Sequence, residues 1–144
     1  MDMSSINWLA VLVAAISAFA LGAVWYSPVL FGNAWMADNK LDMEKIKSGN
    51  MLKIYGTTFI LSLVMAANLA MFLADSPGDC PVGCAQKTDV SWGAIAGFLA
   101  GIWVFCAVAM HGLFEHRSAR LIFINGGYSL VGLTLMGAII GLWR

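Results

Sequence analysis

The chain reads as an all-α membrane protein, a bundle of four transmembrane helices joined by short loops in one domain covering residues 1–144. Three observations predict it. Hydrophobic residues make up 60% of the chain and charged ones 11%, with a mean hydropathy of +0.81, against about 45–50% and about 25% in soluble domains. The charges leave four uninterrupted gaps, 3–37, 54–74, 90–114 and 121–143, bounded by Asp2 and Asp38, Lys53 and Asp75, Asp89 and Glu115, and Arg120 and Arg144. The cations also gather in alternate connections, as they do in multi-pass proteins. A formal net charge of zero argues against a nucleic-acid partner and leaves the lipid bilayer as the expected surroundings.

Each gap is long enough to span. A hydrocarbon core of about 30 Å needs roughly 20 helical residues, and a helix satisfies its own backbone where no water can. The spans are expected at Ile6–Tyr26, Lys53–Ala74, Val90–Phe114 and Arg120–Trp143.

The first span carries "SAFALGA", small residues at cleavage-like spacing, but its start holds only Asp2 where a secretory signal wants positive charge. It is read as a mature helix. Its end, "WYSPVLFGNAW", gathers Trp25, Tyr26, Phe31 and Trp35 around Pro28 and Gly32, while Trp8, Trp92 and Trp143 mark the opposite ends of their helices. Amphipathic rings favour the headgroup layer, proline cannot extend the helical ladder, and Gly32-Asn33 suits a turn. An interfacial segment is expected to follow Pro28, with Asp38-Asn39 capping a brief amphipathic helix around Leu41–Lys47.

Between the second and third spans, "DCPVGC" places Cys80 and Cys84 in a short loop. A disulfide is the favoured reading, contributing about 2 kcal/mol for so small a ring; free thiols come next, then a two-cysteine metal site. Cys106 stands alone in the third span and reads as a packing residue.

Orientation follows from the cations. Lys40, Lys45, Lys47, Lys53, Arg117 and Arg120 lie on one side, and Lys87 and Arg144 on the other. The first side is expected in the cytoplasm of a bacterial inner membrane, with both termini and the cysteine loop outside.

Small residues recur at helical spacing, where close approach must replace a hydrophobic drive. Ala10, Ala14, Ala18 and Gly22 line the first span, and Ala66, Ala70 and Ala74 the second. Gly93, Gly97 and Gly101 line the third, with Gly137 and Gly141 near the end of the fourth. Such stripes also serve between subunits, so a homo-oligomer or a membrane-complex subunit is expected. A weak internal echo sets Trp8 on Trp92 and Ser62 to Val64 on Ser129 to Val131. It is consistent with two helical hairpins in a parallel repeat.

Two stretches carry a resemblance. "GAVWYSPVLFGNAW" and "HGLFEHRSARLIFINGGYSLVGLTLMGAIIGLW" are similar to the domain of unknown function 1761 family of small, mainly bacterial membrane proteins. The resemblance implies a four-helix integral membrane protein with no established activity and no catalytic residues to carry over.

Polar groups at membrane depth are expensive and mark candidate sites. His111 and Glu115 stand four apart on one face, His116 follows, and Asn125 and Tyr128 open the next helix. A histidine and a carboxylate so spaced can share a metal or pass a proton. The favoured reading is an interfacial turn in which Glu115 pairs with Arg117 or Arg120 and His111 bonds a carbonyl or Asn125. Asn68 is expected to bond between helices. No phosphate loop, nucleophile elbow, haem-attachment motif or intramembrane acidic pair occurs. The chain is therefore expected to be non-enzymatic, to need no cofactor, and to act by packing as an oligomer or accessory subunit. A small transporter or channel is the rival, and a metal-dependent membrane enzyme a distant third.

Overall fold

The computed structural model describes residues 6–74 and 88–143; the Cys80–Cys84 pairing and Lys87 lie outside them. Among the described residues there are six helices and no strands: α1 Trp8–Trp25, α2 Gly32–Asn39, α3 Met43–Lys47, α4 Met51–Phe72, α5 Val90–Phe114 and α6 Ala119–Leu142.

Side-chain caps set where helices begin. Asn7, Asp42, Asn50, Asp89 and Ser118 each accept an amide from the first turn of α1, α3, α4, α5 and α6, satisfying donors that an apolar environment would leave stranded. Asn50 accounts for α4 starting at Met51 instead of the expected Lys53, and Ser118 for α6 starting at Ala119. The short third helix forms near its expected place, but its cap is Asp42, whose carboxylate accepts from the Lys45 amide at 2.7 Å. Asp38 and Asn39 instead close α2, after which Lys40 adopts a left-handed φ of 53° that breaks the helix and makes a new cap necessary.

Four helices, α1, α4, α5 and α6, are long and apolar enough to cross a membrane. The shortest, α1, has 18 residues and is about 27 Å long.

The helices stand in the order α4, α1, α6, α5: α5 packs most extensively on α6, α1 touches both α6 and α4, and α4 meets α6 only lightly. Both hairpins start at one end, here the terminal end. There Asn7 Nδ2 donates to the Trp143 carbonyl at 2.9 Å and Thr88 Oγ1 to the Leu73 carbonyl at 3.0 Å. The opposite end, the α2 end, holds α2, α3 and the turn between α5 and α6. The hairpins are not used equivalently, since α1 lies on α6 while α4 and α5 scarcely meet.

Small side chains fill the centre. Ala14, Ala15 and Ala18 of α1 pack with Ala66 and Ala70 of α4, joined by Leu133, Met136 and Ile140 of α6 and Ala96 of α5. Against α6, the glycine stripe of α5 is consumed inside the chain. A Cβ on Gly93 would strike the Gly137 carbonyl, one on Gly97 the Leu133 carbonyl, one on Gly141 the Asp89 carbonyl, and one on Gly101 would stand 2.8 Å from the Leu130 Cα. The two backbones therefore touch, and only glycine permits it. Cys106 sits exposed on the outer face of α5, not in a helix contact as its sequence setting suggested.

Candidate functional site

The stretch after α1 folds back on itself. The ladder closes with the Tyr26 amide on the Gly22 carbonyl at 3.0 Å, Pro28 supplies no donor, and the Phe31 amide returns to the Trp25 carbonyl at 3.1 Å. The Gly32 amide reaches the Ser27 carbonyl at 2.9 Å. A side chain on Gly32 would collide with the carbonyls of Tyr26 and Ser27, so this residue is what lets α2 begin so close to the end of α1.

That reversal presses its aromatics onto the start of α6. Trp25 Nε1 donates to the Ile124 carbonyl at 3.0 Å, the Tyr26 hydroxyl to Asn125 Oδ1 at 3.0 Å, and the Tyr128 hydroxyl to the Ala18 carbonyl at 3.1 Å. The Tyr26 ring lies 5.6 Å from Trp35 and 5.5 Å from Tyr128, and Trp25 lies 4.8 Å from Phe31. Glycines make the room: Gly127 beneath the Trp25 indole, Gly126 beneath Phe105, and Gly22 beside the Tyr128 phenol. The "WYSPVLFGNAW" and "NGGY" stretches are thus two halves of one contact.

Beyond this aromatic lock lies a charged seam. Arg120 Nε donates to Asp38 Oδ2 at 2.9 Å and Arg120 Nη2 to Asp38 Oδ1, while the Ser118 hydroxyl donates to Asp38 Oδ2 at 2.7 Å. These bonds, from Arg120 first and Ser118 next, outweigh partial desolvation and hold the Asp38 carboxyl down at about 2. Next to it, Arg117 Nε donates to Glu115 Oε2 at 3.0 Å and Arg117 Nη1 to Asn39 Oδ1 at 3.4 Å. The α5–α6 turn that carries these groups closes through His116, whose φ of 55° is left-handed. Its amide bonds the Leu113 carbonyl at 3.2 Å and the Arg117 amide the Gly112 carbonyl at 2.9 Å, the double closure of a Schellman turn.

Two open clefts flank the seam. One of about 520 Å³ lies between the end of α2 and the α5–α6 turn, lined by Asp38, Asn39, Lys40, Glu115, His116, Arg117 and Ser118. A smaller one of about 260 Å³ has Val108, Gly112, Leu121 and Ile122 as its apolar floor and His111, Glu115, Asn39 and Asn125 on its rim.

The polar cluster expected from the sequence therefore divides. Asn125 and Tyr128 belong to the aromatic lock, while His111, Glu115 and His116 lie exposed at the surface. Glu115 pairs with Arg117. Neither histidine side chain has a hydrogen-bond partner among the described residues, and no three His, Cys, Asp or Glu side chains there converge as a metal would require. Asn68 is exposed on the outer face of α4 with no described partner, in place of the helix–helix bond expected of it. Its depth explains that. Phe19 of α1 contacts both Tyr55 and Phe59 of α4, and in this antiparallel register Asn68 comes level with Trp8, in the aromatic layer of the terminal end, where an amide can reach water.

The contact among Asp38, Arg120 and Ser118 was not legible in the sequence: Asp38 stood there as a helix cap and Arg120 as one of two candidate partners for Glu115, and 82 residues separate the ion pair that forms.

Fold and site together define a small all-helical protein with four membrane-span-like helices and a hydrogen-bonded, charge-paired seam at one end. Residues 9–141 match the family model described as protein of unknown function (DUF1761), and the chain belongs to that family. No curated protein and no solved structure matches the chain.

Proposed function

We propose that this is a non-enzymatic, multi-pass protein of the bacterial inner membrane that works by packing against other membrane helices, as a homo-oligomer or as an accessory subunit. One observation carries the reading: polar groups inside the described bundle are consumed internally, while long apolar faces of α4 and α5 point outward, toward lipid or other membrane helices. No buried side-chain nitrogen or oxygen among the described residues is without a partner. Ile60, Leu61 and Val64 of α4, and Leu99, Ile102 and Trp103 of α5, are exposed. The bias of cations toward the α2 end supports a cytoplasmic position for it, with both termini outside.

Native gels of gently solubilised membranes test this, with an oligomer or a co-purifying partner expected. A strictly monomeric species without a partner would overturn it. The transporter reading leaned on His111, Asn125, Asn68 and Tyr128. Asn125 and Tyr128 are spent in the aromatic lock, and His111 and Asn68 face outward, so it loses ground. Solute flux in proteoliposomes that His111→Ala abolishes would restore it.

A further inference from the structure

The two clefts beside the charged seam form one path. Asn39, Glu115 and Arg117 line both, so the polar cleft at the α2 end continues into the one floored by Val108 and Ile122. The aromatic lock fixes its depth. Asn125, on the rim of the inner cleft, accepts from the Tyr26 hydroxyl, and the neighbouring Ile124 carbonyl accepts from the Trp25 indole. Such rings settle at the boundary between headgroups and acyl chains. Gly112 lies against Ile122 and Gly126 against Phe105, which sets Val108 level with Asn125. Glu115 stands about 10 Å further out along α5. The path is therefore charged at headgroup depth and apolar where acyl chains begin, a gradient that matches an amphiphile standing upright in the membrane.

The charges select among amphiphiles. Asp38 and Glu115 are each matched by an arginine, Arg120 and Arg117, which leaves the exposed Lys40 ammonium as the surplus on the cleft wall, without a partner among the described residues. Two further donors are unspent there: Arg117 Nη2, beyond the bonds that Nε and Nη1 make, and the Asn125 amide, whose Oδ1 alone is engaged. A guanidinium edge and an ammonium suit a phosphate. An added ammonium or choline group would bring a second positive charge to a wall already one positive charge in excess.

We propose that this path holds a phospholipid with one net negative charge, of the phosphatidylglycerol kind. Its phosphodiester lies against Lys40 and Arg117, an ester carbonyl accepts from Asn125 Nδ2, and the first methylenes rest on Val108 and Ile122. Such a site needs only that the helices span the membrane, whatever the oligomeric state.

Native mass spectrometry of the full chain, stripped of lipid in a neutral detergent, tests it against three probes: phosphatidylglycerol, phosphatidylcholine with the same acyl chains, and free glycerol phosphate. One phosphatidylglycerol should be retained in preference to the other two. Lys40→Gln should weaken its binding about fivefold, the effect of one cation near a membrane surface. Lys47→Gln, which removes an exposed cation of α3 outside the path, should leave binding unchanged. Neither side chain makes a described contact, so both variants should fold as the wild type does. Phosphatidylcholine held as tightly as phosphatidylglycerol, or equal losses in the two lysine variants, would overturn the charge match and the site with it. Glycerol phosphate bound as tightly as the lipid would show a site for soluble anions and overturn the amphiphile.

Discussion

Tyr26 and Asn125, 99 residues apart, share a hydrogen bond of 3.0 Å that ties the end of the first long helix to the start of the last. It is the centre of the aromatic lock, and both partners are half-buried. Tyr26→Phe keeps the ring contacts with Trp35 and Tyr128 and strands only the Asn125 carbonyl oxygen. A loss of about 0.5–1.5 kcal/mol is expected, read as a fall in melting temperature in detergent. In a cycle with Asn125→Leu, the double variant should lose less than the two singles combined. Additive losses would mean that the bond contributes nothing.

Helix contacts formed by backbone should be far less forgiving than those formed by side chains. Gly97→Ala drives a methyl into the Leu133 carbonyl and Gly137→Ala one into the Gly93 carbonyl, so each must separate α5 from α6. The expected cost is about 1–3 kcal/mol, typical of overpacking. Gly56→Ala offers the contrast, since its methyl meets nothing and should gain up to about 1 kcal/mol from helix propensity. Thermal unfolding of the three variants checks the ordering, and equal losses would remove the distinction between these glycines.

The same contrast shows what could be read beforehand. Charge-free runs gave four spans because lipid excludes charge whatever the tertiary contacts, so α5 begins at Val90 and ends at Phe114 as expected. The glycine stripe was visible too, but its partner was not: spacing says that a backbone can approach, and only the fold says that the backbone is α6. The division of the polar cluster was hidden for a related reason. His111 and Asn125 are close along the chain, yet Asn125 is claimed by Tyr26 from the other hairpin. The Asp38–Arg120 pair, with partners 82 residues apart, has no local pattern at all.

His116 should matter for its backbone and not its imidazole. Its φ of 55° costs a non-glycine residue about 1–2 kcal/mol, while the added chain entropy of glycine when unfolded returns about 0.4–1 kcal/mol of any gain. His116→Gly should therefore raise stability by up to about 1 kcal/mol, and His116→Ala, which keeps the strain, should not. A histidine with a chemical task would be missed equally in both variants, so matched defects in any assay of oligomer or partner binding would refute the structural role.

The Asp38 seam makes the α2 end sensitive to acid. Its carboxyl is held at about 2 against an ordinary 3.8, first by the hydrogen bonds from Arg120 and then by that from Ser118. A folded-state value below the unfolded one means that the ionised form is favoured by folding, so the stabilisation is fully present above about pH 4. It drains away as pH falls from there toward about 2. The wild-type chain should accordingly lose its advantage over Asp38→Asn across that window and keep it unchanged from pH 5 to 7. Because the Arg120 side chain is 59% exposed while that of Asp38 is 12% exposed, added salt should reduce the advantage only in part. Melting curves for both chains at several pH values decide it. An advantage that grew on acidification would reverse the sign of the linkage, and one indifferent to pH would mean that Asp38 acts by fit alone and that the carboxylate's charge does nothing for the contact between α2 and α6.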